Sequence, residues 1–231
     1  MKAAVMFPNE ERPRYTDFPE PLIQNDDEVL VRVKAVAIKH LDKSMASGKH
    51  YASVAPKGHG ALIGGDGVCL LADGTRVYGM GVSGMLAEKA VIHKDRIVRL
   101  PESLDNATAA ALPNAVIGAA MGLKFKANIH AEDVVLINGA TGVTGRVAVQ
   151  LAKYYVIATG RNQQSLEDLL SLGADEIISL KQTDEKFTAQ LAAIHHATPI
   201  DIVIDYLWGH PAELILEVLK GRGMFTRPIS Y

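Results

Sequence analysis

Cysteine is almost absent. Cys69 stands alone in 231 residues, so neither an internal disulfide nor a multi-thiolate metal site can be assembled, which suits a reducing compartment. Charge of one sign is not in excess either. Lys plus Arg is 24 against 26 for Asp plus Glu, a formal net charge of −2, so there is no basic footprint and no nucleic-acid partner is expected. Long apolar runs are missing too. The uncharged stretch 107–123 is Ala-rich, carries Pro113 and Asn114 in its middle and lies at the short end for a bilayer crossing. It reads as a pair of buried or interfacial helical turns, and no membrane partner is expected. The N-terminal segment meets charge too soon for a signal peptide, which predicts a cytoplasmic chain.

What is present is an ordinary globular composition, 48% hydrophobic and 22% charged, in a chain long enough for one large or two small domains. Its halves differ in texture. Up to about residue 100 the signals are short strands and turns: 2–7, 28–38, a hairpin from 68–71 through Ala72, Asp73 and Gly74 to 76–78, then 85–93 and 97–100. A barrel or partly open β domain over 1–112 fits these signals. Over 113–231 the pattern becomes strand, helix, strand, helix. Residues 134–138 (VVLIN) form a continuous apolar run, as a strand buried on both faces should be. Residues 156–159, 176–180 and 201–206 are further strands, with helices over 142–155, 165–172, 184–195 and 211–220. Such alternation predicts an α/β fold with a doubly wound parallel sheet. One junction is odd: the helix expected to end near Tyr155 runs into Val156 with no turn residue, although such connections take two to six residues. Spacing there, and after Gly221, predicts missing chain.

After the VVLIN strand comes Gly139-Ala140-Thr141-Gly142-Val143-Thr144-Gly145, then a helix. Ala140-x-Gly142-x-x-Gly145 is the G/A-x-G-x-x-G dinucleotide pattern, which needs a tight turn, a bare backbone where the pyrophosphate approaches, and a Gly where helix packs on strand. The flanking strand and helix supply the context that makes the pattern specific. The next strand ends Thr159-Gly160-Arg161-Asn162. An acid there would accept from an NAD ribose hydroxyl, whereas Arg161 suits a 2′-phosphate, so NADP is favoured over NAD. A solvated surface arginine is the alternative. No Tyr has a Lys four residues on, which excludes the short-chain dehydrogenase pattern.

A β domain, Ala-Ala-Leu-Pro at 110–113, strand-NGATGVTG-helix, Val149-Gln150-Leu151-Ala152-Lys153, Leu172-Gly173-Ala174-Asp175 and the strand 202–205 follow one another in this order. Together they resemble the quinone oxidoreductase branch of the zinc-free medium-chain dehydrogenases/reductases, in the alcohol dehydrogenase superfamily. The resemblance implies a GroES-like N-terminal domain, a Rossmann domain binding NADPH, hydride transfer to a quinone or α,β-unsaturated carbonyl, and a homodimer formed edge to edge by the Rossmann sheets. It also implies a return of the chain into the first domain, not present here. Where zinc-containing relatives carry Cys and His ligands this chain has Lys39 and Gly65, so no metal is expected. The adjacent His195 and His196 suit the C-terminal carbonyls of their helix better than a metal. Without zinc, the oxygen that gains charge must meet hydrogen-bond donors. Tyr51 and His50 follow the Ser47-Gly48 step where the family places a Tyr and are the first choices, with Lys39 and Lys43 behind them. The family's Asn-x-x-Asp-x-Tyr step reads Lys39-His40-Leu41-Asp42-Lys43-Ser44 here. Loss of its Asn and Tyr keeps open an alternative: an NADPH-binding sensor or structural protein without turnover.

Overall fold

The computed structural model describes residues 1–51, 53, 58–152 and 154–220. It contains two compact units, Met1–Pro113 and Asn114–Tyr231. The first carries β1 (Lys2–Met6), β2 (Arg14–Asp17), β3 (Glu28–Ala35), the short helix α1 (His40–Ala46), β4 (Ala61–Leu62), β5 (Asp66–Leu70), β6 (Arg76–Gly81) and β7 (Lys89–Arg99). β3, β5, β6 and β7 close into an antiparallel barrel, and β1 lies between β2 and β4 in a three-stranded sheet. Alternation in the barrel strands puts Val31, Cys69, Val77, Ala90 and Ile92 into one core.

The two strands expected over 85–93 and 97–100 are one. Lys89–His93 pair with β3 and Ile97–Arg99 with β6, so the charged middle of β7 simply passes from one partner to the other. Met85 lies outside the strand, yet it is fully buried in the barrel core. The hairpin is as expected, Cys69 facing Val77, with Asp73 accepting from the Thr75 amide at 2.9 Å and Gly74 at φ +84.

Residues 107–123 also depart from expectation. They lie in one continuous run, α2 (Asn106–Ala120) followed by a π-helical segment, Met121–Lys126. Pro113 sits inside α2, where it withholds one helix hydrogen bond. Among the described residues no helix is long and apolar enough to cross a membrane.

The second unit continues with β8 (Val134–Asn138), α3 (Val143–Leu151), β9 (Tyr155–Gly160), α4 (Gln163–Leu172), β10 (Glu176–Ser179), α5 (Asp184–Ala197), β11 (Ile202–Asp205) and α6 (His210–Lys220). The four strands are parallel, in the order β10-β9-β8-β11. This is a Rossmann-like, doubly wound α/β sheet. All five residues of β8 are buried, and the two faces of the sheet feed two cores, one around Val135, Ile137 and Ala148, the other around Leu136, Phe187 and Leu191. The suspect junction is resolved by a shorter helix: α3 stops at Leu151, not Tyr155, and Tyr155 already belongs to β9. No chain is missing there, since the sequence is continuous.

Candidate functional site

β8 delivers the chain to a loop whose shape follows from its glycines. Gly139 stands at φ +86, where a Cβ would also lie 2.8 Å from Leu207 Cγ. Gly142 is the N-cap of α3, with φ −73 and ψ 165, no side-chain cap and no acid in the first turn. The first-turn amides of Val143, Thr144 and Gly145 therefore present an uncapped positive end. A Cβ on Gly142 would meet only Gly139 O, at 3.7 Å, whereas one on Gly145 would lie 2.6 Å from both Ala140 Cα and Gly139 O. Gly145 thus lets the helix close on the loop, and Gly142 keeps the space above it open. An open cradle lined by bare backbone and uncapped amides fits a phosphate group.

β9 ends beside this loop, and a Cβ on Gly160 would lie 2.5 Å from Thr141 Cγ2. Thr159, which the resemblance sets beside Arg161 and Asn162 as a residue clasping the adenosine phosphate, is engaged elsewhere. Its side chain is fully buried; the hydroxyl donates to Asn138 Oδ1 at 2.6 Å and accepts from the Gly139 amide at 3.2 Å. It ties loop to sheet, and with its one proton donated to Asn138 and its side chain fully buried it has no donor left for a phosphate. Asn162 caps α4 by accepting from the Ser165 amide at 2.9 Å. Arg161 between them is exposed. Asn162 is exposed too, but its side chain is committed to the cap, so of Thr159, Arg161 and Asn162 the guanidinium is the group left without a hydrogen bond or ion pair among the described residues. Ala140, fully buried, shapes the loop from beneath, while Val143 is 63% exposed at its rim.

In chain order the sheet grows from β8 through β9 to β10, then reverses to place β11 on the far side of β8. Ligands of such sheets lie outside the carboxyl ends at this reversal. The loop after β8 is one wall of that crevice; the loop after β11 is the other. Asp205 holds the second wall, accepting from Asn138 Nδ2 at 2.8 Å and from the Leu207 amide at 2.9 Å. Sequence reading missed Asp205 and Asn138, because their partnership spans 67 residues.

In the first unit, Lys39 is not a free donor. Its Nζ lies 2.6 Å from Asp66 Oδ1 and 3.7 Å from Asp42 Oδ2, and donates to Ala37 O at 2.8 Å. The Tyr78 hydroxyl donates to the other Asp66 oxygen, and burial first, then Asp66, pushes the phenol well above its ordinary pKa. Asp42 in turn accepts from the Lys39 amide at 2.8 Å and the Gly65 amide at 3.1 Å. An ammonium compensated by two buried carboxylates is structural cement, which corrects the expectation that Lys39 faces a substrate. Among the described residues no group of three or more His, Cys, Asp or Glu side chains could hold a metal. Cys69 is fully buried, and burial pushes its thiol up to about 12. His195 Nδ1 accepts from the Ile200 amide at 3.0 Å, a bond to the chain beyond α5, not to helix carbonyls.

Above this cluster lies a cavity of about 590 Å³, with Leu41, Met45, Leu62, Ile63 and Val82 among its apolar walls and Asp42 and His50 among its polar lining. Tyr51 is 96% exposed and its ring lies 4.3 Å from that of His50. His50 and Tyr51 thus come together, His50 in the cavity wall and Tyr51 outside it.

No protein-family model matches the chain. Among curated proteins it is 28% identical to the quinone oxidoreductase of Sus scrofa over 196 residues, 80% of this chain but 59% of that protein. The chain therefore spans about three-fifths of that relative's length. Among solved structures it is similar to the quinone oxidoreductase of Thermus thermophilus, solved also as its complex with NADPH (TM-score 0.80, 28% identity, 95% of this chain, 70% of that one). An alcohol dehydrogenase superfamily protein from Novosphingobium aromaticivorans gives a TM-score of 0.77 at 26% identity, over 95% of this chain and 69% of that one. With a β barrel, a Rossmann-like sheet and these likenesses in sequence and fold together, the chain is similar to the zinc-free, quinone oxidoreductase-like branch of the medium-chain dehydrogenases/reductases.

Proposed function

We propose that this chain binds NADPH at the carboxyl edge of its parallel sheet, and that the protein transfers hydride from it to a quinone or an α,β-unsaturated carbonyl. One observation carries the reading: the open, uncapped cradle at Gly142 stands one strand away from exposed Arg161, at the position where an NAD site would hold an acid. The likeness to an oxidoreductase solved with NADPH supports it.

NADPH, when bound, supplies the hydride. The chain's own residues do the rest. The amides of Val143, Thr144 and Gly145 bind the pyrophosphate, and Arg161 grips the 2′-phosphate through charge-assisted hydrogen bonds. The apolar walls of the cavity, Leu41, Met45, Ile63 and Val82, hold a flat conjugated acceptor and exclude water. As the acceptor oxygen gains charge, His50 in the cavity wall donates a hydrogen bond to it. Tyr51, stacked on His50, restricts the imidazole and stands as a second donor. Lys39 acts at one remove: its pair with Asp66 and Asp42 fixes α1, which carries Leu41 and Met45 to the cavity. The second copy of a homodimer, a quinone or enone as partner and a cytoplasmic location belong to the same proposal.

The assay is loss of reduced-nicotinamide absorbance on mixing the chain, NADPH and a panel of quinones and enones. Turnover of at least one class, abolished in His50→Ala, is expected. NADPH binding with no turnover on any acceptor would favour the sensor reading instead, which the commitment of Lys39 to an ion pair, where the family carries Asn, already makes the second choice.

A further inference from the structure

Resting on the NADPH reading, a second feature of the same crevice concerns how the dinucleotide is held. Trp208 is the chain's single tryptophan. It follows β11 by three positions, stands at φ +59, and is succeeded by Gly209 at φ +68. A bulky residue in the left-handed region is strained, and such strain persists only where the surroundings enforce it. Here Asp205 enforces it: both carboxylate oxygens accept from the Trp208 amide, at 3.1 and 3.2 Å. Burial does not repay the strain, because the indole is 79% exposed. Glycine, asparagine or aspartate would fill the turn more easily, so the turn alone gives no reason for tryptophan.

The position gives one. Leu207 packs against Gly139 of the phosphate loop, which puts Trp208 at the sheet reversal. Along the carboxyl edge Arg161 follows β9, the cradle follows β8 and Trp208 follows β11, in the spatial order of the strands. A dinucleotide with its adenosine phosphate at Arg161 and its pyrophosphate at Gly142 continues toward β11. We propose that Trp208 is a binding residue for the nicotinamide half of the dinucleotide, its exposed indole stacking on the nicotinamide riboside.

A lone tryptophan makes its own reporter. Titrating the 231-residue chain with NADPH should quench tryptophan emission and sensitise reduced-nicotinamide emission, while adenosine 2′,5′-bisphosphate should compete for the site and do neither. By equilibrium dialysis, Trp208→Phe should keep NADPH affinity within about three-fold, and Trp208→Asn should lose roughly ten-fold, within the range of aromatic stacking on a base. Asn tolerates the left-handed turn, so that variant should melt no lower than the parent, separating ligand contact from support of the fold. NADPH bound by dialysis without any change in tryptophan emission, or at full affinity by Trp208→Asn, would overturn this assignment and leave the NADPH reading standing. Quenching by the adenosine half alone would put the indole on the wrong half of the ligand and overturn it equally. No NADPH binding to the parent chain would sink both.

Discussion

Two glycines three residues apart should respond in opposite ways to an added side chain. At Gly145 a Cβ would lie 2.6 Å from Ala140 Cα, 2.6 Å from Gly139 O and 2.8 Å from Ala140 C. All three are backbone atoms, so no side chain can swing aside. Ordinary contact needs roughly 3.5 Å or more, so α3 must retreat from the loop by about 1 Å. Overpacking of this kind costs about 1 to 3 kcal/mol, and Gly145→Ala should lose that much in urea unfolding. At Gly142 the nearest atom to a new Cβ is Gly139 O at 3.7 Å, and φ −73 with ψ 165 is open to any residue. Gly142→Val therefore costs the fold little: loss of a Gly N-cap, about 1 kcal/mol at most, is offset by a stiffer unfolded chain. Its branched side chain, however, fills the space where a pyrophosphate must meet the amides of α3. Forfeiting even one charge-assisted hydrogen bond should weaken NADPH binding by about 2 kcal/mol or more, roughly thirty-fold. Isothermal titration and urea melts on both variants check this. A stable Gly145→Ala, or a Gly142→Val that binds NADPH like the parent, refutes the loop geometry as a cradle.

Lys39→Met should cost about 3 to 5 kcal/mol in chemical unfolding, because it strands Asp66 and Asp42, each under a tenth exposed, without their cation; turnover should fall no more than the folded fraction does. His210 gives a pH prediction. Its Nε2 lies 2.8 Å from Asp184, with Glu213 beside Nδ1, and these bonds raise its pKa above 6.5. A raised histidine contributes stability that is complete below its unfolded pKa and is lost as pH rises through the folded one. The melting-temperature gap between the parent chain and His210→Gln should thus be largest in mild acid and close as the medium turns alkaline; a gap that widens with pH would contradict the pairing.

The central strand and the phosphate loop were legible because their signals are local. VVLIN reads as buried on both faces because it is, and Gly142 and Gly145 sit at offsets set by one turn of chain. β7 was misread for a local reason as well: His93-Lys94-Asp95-Arg96 looks like a break, yet it only overhangs where β7 leaves β3 and joins β6. α1 escaped notice because it spans just 7 residues and is capped by Asp42 accepting from the Lys39 amide, not by a Ser or Thr. The buried pair was out of reach for a different reason. Lys39 meets Asp66 across a long stretch of intervening chain, and no periodicity joins them. Thr159 was misassigned because a strand-end hydroxyl looks alike whether it faces ligand or sheet; Asn138, 21 residues away, decides it. Trp208 carried a weak signal, a large aromatic directly before a Gly at the end of a strand, whose meaning depends on Asp205 holding the turn.

The central claim is a dinucleotide with a 2′-phosphate bound at the carboxyl edge of the sheet, and titration of NADPH and NADH into the parent chain and Arg161→Ala tests it most directly. Arg161 is exposed and its side chain makes no hydrogen bond or ion pair among the described residues, so the variant should fold normally. NADPH should bind the parent chain more tightly than NADH, and the substitution should cost NADPH about 1.5 to 3 kcal/mol, the worth of a charge-assisted hydrogen bond, while leaving NADH nearly untouched. Equal losses for both dinucleotides, or a parent chain that binds neither, would contradict the account.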